Sequence, residues 1–165
     1  MSHFACAMLG DRGSWRIVEV DLSGCETVDD AVELLRDFQE PVRILAVEQD
    51  DEYAALLRLD LAADEADEPA RVFLSNGHAA EEYPLAAILA DGLVEIGGDP
   101  LLDDEDAPPA LDAAPFGDPD VVEDLGVKAP ELIELSLHES TLPIDLLISV
   151  VERLGCLDEF EAVRA

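Results

Sequence analysis

Lysine is almost missing from this chain. Lys128 is the only one, Lys and Arg together number nine against 40 Asp and Glu, and the formal charge over 165 residues is −31. A surface so anionic repels nucleic-acid phosphates, whose binding depends on Lys and Arg displacing condensed counterions. It repels anionic membrane faces for the same reason. Cysteine is also scarce: Cys6, Cys25 and Cys156 are an odd number with no Cys-x-x-Cys spacing. That fits neither a disulfide framework nor a zinc site, and reads as three reduced thiols. No apolar stretch approaches the roughly 20 residues that span a bilayer. The start, Met1-Ser2-His3-Phe4-Ala5-Cys6-Ala7-Met8, has no basic region ahead of an apolar one, so a cytoplasmic location is expected. Lysine scarcity itself fits either a GC-rich coding genome or adaptation to salt, which screens self-repulsion.

What the chain does have is apolar residues, 49% of the total, enough for a core and too many for a disordered acidic tail. Phe4 to Leu9 and Trp15 to Val20 flank Gly10-Asp11-Arg12-Gly13 and read as a β-hairpin. Val28, Val32, Leu35 and Phe38 are spaced for a helix capped by Thr27, with acids in its first turn and Arg36 in its last. Past Pro41, Val42 to Val47 is apolar at nearly every position, as in a strand covered on both faces. Tyr53, Ala55, Leu57, Leu59 and Leu61 alternate with residues that include Arg58 and Asp60, which predicts a strand with one face in solvent. Arg71 to Ser75 is the fifth strand, and a helix is predicted over Pro84 to Ala90.

These elements predict an α+β fold with an antiparallel sheet of about five strands (ββαβββα), one familiar arrangement having the order 2-1-5-4-3. Residues 1–96 form the sheet domain and 97–117 an acidic linker rich in Pro and Gly. Residues 118–165 form a helical subdomain that packs on itself or back onto the sheet. In the tail, Asp118-Pro119 opens a short helix ended by Gly126, a second helix runs from Pro130 toward Leu137, and Ser140 or Thr141 caps the third. Leu142, Leu146, Leu147, Val150, Val151 and Leu154 make the third helix's apolar stripe, Gly155 closes it, and a last turn covers Leu157 to Val163. Residues 62–120 alone hold 16 acids against one base.

No constellation carries recognisable chemistry, so no catalytic, cofactor or metal residue is expected. Asp99, Asp103, Asp104, Glu105 and Asp106 lack the ligand spacing and glycine of a calcium loop, and read as a solvated run. The histidines His3, His78 and His138 are scattered, and there is no Gly-x-Ser-x-Gly elbow and no Gly-Lys-Ser or Gly-Lys-Thr. His78-Ala79-Ala80-Glu81 is one residue longer than the His-x-Glu of zinc nucleobase deaminases, whose Pro-Cys-x-x-Cys is missing too. Glu81 and Glu82 suit the start of the following helix, where negative charge is favourable. Trp15, beside Ile17, reads as a packing residue. The five linker acids with Glu81 and Glu82 are the candidate interaction residues.

Several segments carry a resemblance: the opening Met-Ser-His-Phe-Ala, Gly13-Ser14-Trp15, and Phe73-Leu74-Ser75-Asn76-Gly77-His78-Ala79-Ala80 running into Tyr83-Pro84-Leu85-Ala86. Gly117-Asp118, Asp124-Leu125-Gly126, and Val151-Glu152-Arg153-Leu154-Gly155 followed by Glu159-Phe160 extend it through the tail. Over nearly its whole length the chain resembles the actinobacterial tRNA adenosine deaminase-associated proteins. The resemblance implies a bacterial cytoplasmic protein linked to a deaminase, and brings no activity or functional residues. The expected function is a non-catalytic accessory protein that binds a basic protein partner, such as the deaminase, and does not bind nucleic acid directly. A sharper form has the acidic surface imitate tRNA phosphates. Two other readings stand beside it: a small enzyme whose site is assembled only by the fold, and a domain sensing a small ligand in an apolar cavity.

Overall fold

The computed structural model describes residues 3–11, 14–60, 70–90, 115–137 and 141–164. Its centre is a six-stranded antiparallel sheet, β1 (His3–Asp11), β2 (Ser14–Glu19), β3 (Val42–Gln49), β4 (Tyr53–Asp60), β5 (Arg71–Leu74) and β6 (Phe116–Gly117), in the order β2-β1-β3-β4-β5-β6. The helices are α1 (Val28–Arg36), α2 (Pro84–Ala90), α3 (Ala129–Leu137), α4 (Pro143–Leu154) and α5 (Leu157–Arg164). The α+β class holds, with one strand more than expected. Among the described residues no helix is long and apolar enough to cross a membrane.

The order 2-1-5-4-3 is corrected: β3, and not β5, lies beside β1. The reason is length. β1 pairs with β3 over eight rungs, from His3 opposite Gln49 to Gly10 opposite Val42, whereas the four residues of β5 would leave half of β1 unpaired. Between β2 and β3 the chain passes through α1, which carries it across β1 to that strand's free side.

A second correction concerns β4, expected to face solvent on one side and buried on both. Side chains alternate across a sheet, so β1, β3 and β4 each feed two cores. Ala5, Ala7, Leu45, Val47, Tyr53 and Leu57 pack beneath α1 and α2. On the opposite face Cys6, Met8, Ile44, Leu56 and Phe73 pack against Leu132 of α3, Leu146, Leu147, Val150 and Val151 of α4, and Phe160 of α5. The alternation in β4 misled because Arg58 looked solvent-facing; it is only 4% exposed. Its guanidinium donates to Asp60 at 2.8 Å, to both oxygens of Asp124 at 2.6 and 2.8 Å, and to the Val121 carbonyl at 2.9 Å. A charge can be buried where every donor is met.

Local signals set the helix ends. Thr27 accepts the Asp30 amide while the Asp30 carboxylate accepts the Thr27 and Glu26 amides, a reciprocal cap. At the other end of α1, the buried Arg43 donates to the Leu35 and Phe38 carbonyls, both at 3.3 Å. The cap of α4 is corrected from Ser140 or Thr141 to Leu142: Pro143 occupies the first helical turn, and the Asp145 carboxylate accepts the Leu142 amide at 3.1 Å. The short helix expected after Asp118-Pro119 tightens to a 3₁₀ turn, Glu123–Leu125. Gly126 and Gly155, at φ +118° and +82°, end that turn and α4 as read. Of the segment 97–117, only 115–117 fall within the described residues, where Phe116–Gly117 pairs with β5.

Two details of the sheet are tightly constrained. Gly10 lies opposite Trp15, whose ring covers it so closely that a Cβ there would sit 2.7 Å from the ring. At the β3–β4 turn, Asp50 and Asp51 both take left-handed φ, 53° and 58°, a conformation that costs ordinary L residues about 1–2 kcal/mol each and Asp less.

Three outcomes follow for stability. Gly10→Ala, which drives a methyl into the Trp15 ring, should lower the unfolding free energy by roughly 1–3 kcal/mol in urea titration. Asp51→Gly, relieved of its left-handed cost, should raise it by up to about 1 kcal/mol. Asp124 is held below the ordinary carboxylate range by its bonds to Arg58. Its stabilisation is therefore present above the unfolded-state pKa and is lost as the pH falls through the lower folded value. Asp124→Asn should destabilise the protein at pH 7, and the deficit should close in strong acid; an equal deficit at both pH values would contradict the pairing.

Candidate protein-interaction surface

Among the described residues, the arginines of the sheet gather toward one end of its strands. Arg16, Arg43, Arg58 and Arg71 occupy two adjacent rungs at one end, with Leu9 opposite both Arg16 and Arg43, and Arg58 opposite Arg71. Each is committed within the protein. Arg16 pairs with Glu40 at 2.8 Å and lies over the Phe38 ring. Arg43 and Arg58 serve the contacts already given, and Arg71 reaches Asp60 at 3.5 Å. Elsewhere, Arg36 pairs with Glu33, and Arg153 pairs with Glu131 while donating to the Gly126 carbonyl at 2.8 Å.

The other end collects acids. Antiparallel pairing brings the β3–β4 turn, the start of β1, the end of β2 and the end of β5 together there, since His3 lies opposite Gln49 and Ala55 opposite Leu74. Asp50, Asp51 and Glu52 project from the turn, Glu19 and Asp21 from the end of β2, and Glu82 from the segment that follows β5, all exposed. The turn is braced: Gln49 accepts the Glu52 amide at 3.0 Å, Glu48 accepts the Asp51 amide at 3.1 Å, and Asn76 donates to the Glu52 carbonyl at 3.4 Å.

Two tyrosines form the floor of this end. Tyr53 is fully buried and donates to Gln49 at 2.8 Å, and its ring centroid lies 5.9 Å from that of Tyr83. Burial, and then the charges of Asp50, Glu52 and Glu82, raise the Tyr83 hydroxyl above its ordinary range. Neighbouring Asp21 is held low chiefly by the Ser23 amide, at 2.9 Å. Among the described residues no Lys or Arg pairs with Asp50, Asp51, Glu52 or Glu82. An acid cluster without cations can steer a cationic surface by long-range attraction. No group of acids, His and Cys suited to holding a metal ion occurs among the described residues.

Of the residues singled out in the sequence, Asp99, Asp103, Asp104, Glu105 and Asp106 lie outside the described residues, as does the side chain of His78. Glu82 joins the acidic end, while Glu81 closes a 3₁₀ turn, Gly77–Glu81, and is exposed. Glu82 and Tyr83 alone separate that turn from α2, whose first turn holds no acid, so both Glu81 and Glu82 stand ahead of the helix and not within its first turn. Sequence reasoning missed Asp50, Asp51, Glu52 and Tyr83. The signal available was three consecutive acids, Asp50, Asp51 and Glu52, between two strand-forming runs.

No curated protein and no solved structure matches the chain. The matching family covers residues 3–157, nearly the whole sequence, and so takes in the sheet and helices α1 to α4, ending at the first residue of α5. The chain belongs to the Rv3753c-like tRNA adenosine deaminase-associated protein family.

Proposed function

We propose that this chain is a non-catalytic partner of a tRNA adenosine deaminase and meets it through the acidic end of the sheet. The observation that supports this reading is the division of charge: the sheet's arginines are spent on internal contacts at one end, and exposed carboxylates without cationic partners crowd the other. An enzyme that acts on tRNA must itself present Lys and Arg to bind phosphates. The acidic end is complementary to such a surface, and its charges act mainly on the rate of encounter. Occupying that surface would place the protein in competition with tRNA.

The test measures association of the purified deaminase with the full chain across a salt series, and with an Asp50→Asn, Asp51→Asn, Glu52→Gln, Glu82→Gln variant. Binding at low salt should weaken steeply as salt rises, and the variant should lose about tenfold or more in association rate with the dissociation rate little changed. Added protein should also raise the apparent KM for tRNA. No complex at low salt, or a complex indifferent to both salt and the four substitutions, would overturn the proposal.

A further inference from the structure

An open sheet has two edge strands, and each offers a row of unpaired N–H and C=O groups to another chain. The two edges here differ. β6 is only Phe116–Gly117, with Pro119 close behind, and is too short to template a further strand. β2 is six residues long, holds neither lysine nor proline, and pairs with β1 from Ser14 opposite Asp11 to Glu19 opposite Cys6 without a bulge. Its one cation, Arg16, is drawn off to Glu40 at 2.8 Å. The devices that usually blunt an exposed edge are therefore missing from β2.

The register shows which backbone groups face outward. The Val20 amide donates to the Ala5 carbonyl at 3.1 Å, so Val20 and, by alternation, Val18, Arg16 and Ser14 turn their N–H and C=O groups toward β1. Those of Trp15, Ile17 and Glu19 point the other way, and among the described residues no strand meets them. The side chains of these three share one face of the sheet. Ile17 and Trp15 join the core that holds Phe160 of α5, Glu19 is exposed, and Asp21, next in the row, is exposed too. Along this edge two apolar side chains lead into two carboxylates at the acidic end.

We propose that β2 is a docking edge on which an extended, basic segment of the partner adds as a further strand. The inference rests on the reading of this chain as a deaminase partner, and supplies the element by which the two are joined. Main-chain bonds to Trp15, Ile17 and Glu19 hold the segment, and its alternate side chains set specificity. The shared face calls for apolar residues beside Trp15 and Ile17, and for Lys or Arg beside Glu19 and Asp21. A second copy of this chain is a poor occupant. It brings another formal charge of −31, and a two-fold antiparallel pairing sets opposite one another only residues of the same face, so Arg16 never meets Glu19 of the other copy.

The experiment follows amide hydrogen exchange by NMR in the full chain, alone and with the purified deaminase at low salt. Alone, the amides of Trp15, Ile17 and Glu19 should exchange at least about tenfold faster than those of Arg16 and Val18, and the enzyme should slow them by about tenfold or more. Two variants separate backbone from charge. Glu19→Pro removes one outward N–H and leaves the bonds to β1 in place, whereas Glu19→Gln removes the same charge alone. The proline variant, folded by circular dichroism, should bind about tenfold more weakly than the glutamine variant; if it does not fold, the exchange pattern decides. Slow exchange at all five amides in the free chain, or protection that appears with rising concentration of the chain alone, would overturn the docking edge. So would a salt-sensitive complex that leaves the three amides unprotected, or equal binding by the two variants; these leave the acidic-end reading standing, whereas the absence of any complex removes both.

Discussion

Arg58 is the fastener on which the two-sided burial of the sheet depends. It is rooted in β4, nearly sealed from solvent, and grips Asp60 on its own strand and Asp124 and the Val121 carbonyl on the chain that covers the second face. Without those partners a buried guanidinium would cost several kcal/mol, whereas with them it fixes how the helical half seats on the strands. Three more arginines sit at other joints. Arg43 closes the end of α1, Arg16 ties β2 to Glu40 in the α1–β3 connection, and Arg153 links α4 to α3 and to Gly126.

That use of cations has a consequence for function. In a chain with nine Lys and Arg against 40 acids, each cation spent on an internal joint leaves the exterior more anionic. Among the described residues, the arginine-bearing rungs sit at one end of the sheet and the β3–β4 turn, with its three consecutive acids, sits at the other. The strained left-handed backbone at Asp50 and Asp51 shows that these acids occupy positions where asparagine followed by glycine would fit with less cost. The two tyrosines beneath them give the acidic end a packed floor.

Much of the fold was legible because its signals are local. The hairpin, the Thr27 cap, the apolar strand at Val42, the stripe of α4 and the glycines at 126 and 155 each rest on a few neighbouring residues. What the sequence hid was long-range. Arg58 looked solvent-facing because its partner Asp124 lies 66 residues away, and the sheet order turned on comparing strand lengths. The acidic end was illegible for the same reason. Glu82 and Asp50 meet around Tyr83 only because antiparallel pairing folds the end of β5 back beside the β3–β4 turn.

The most direct measurement is zero-length carbodiimide cross-linking of this protein to the deaminase, which joins carboxylates to lysines in contact, followed by peptide mapping. A charge-divided partner predicts links from Asp50, Asp51, Glu52 or Glu82 to lysines that the enzyme uses for tRNA. Links confined to carboxylates of α3 and α4, or none at all in a complex that demonstrably forms, would contradict it.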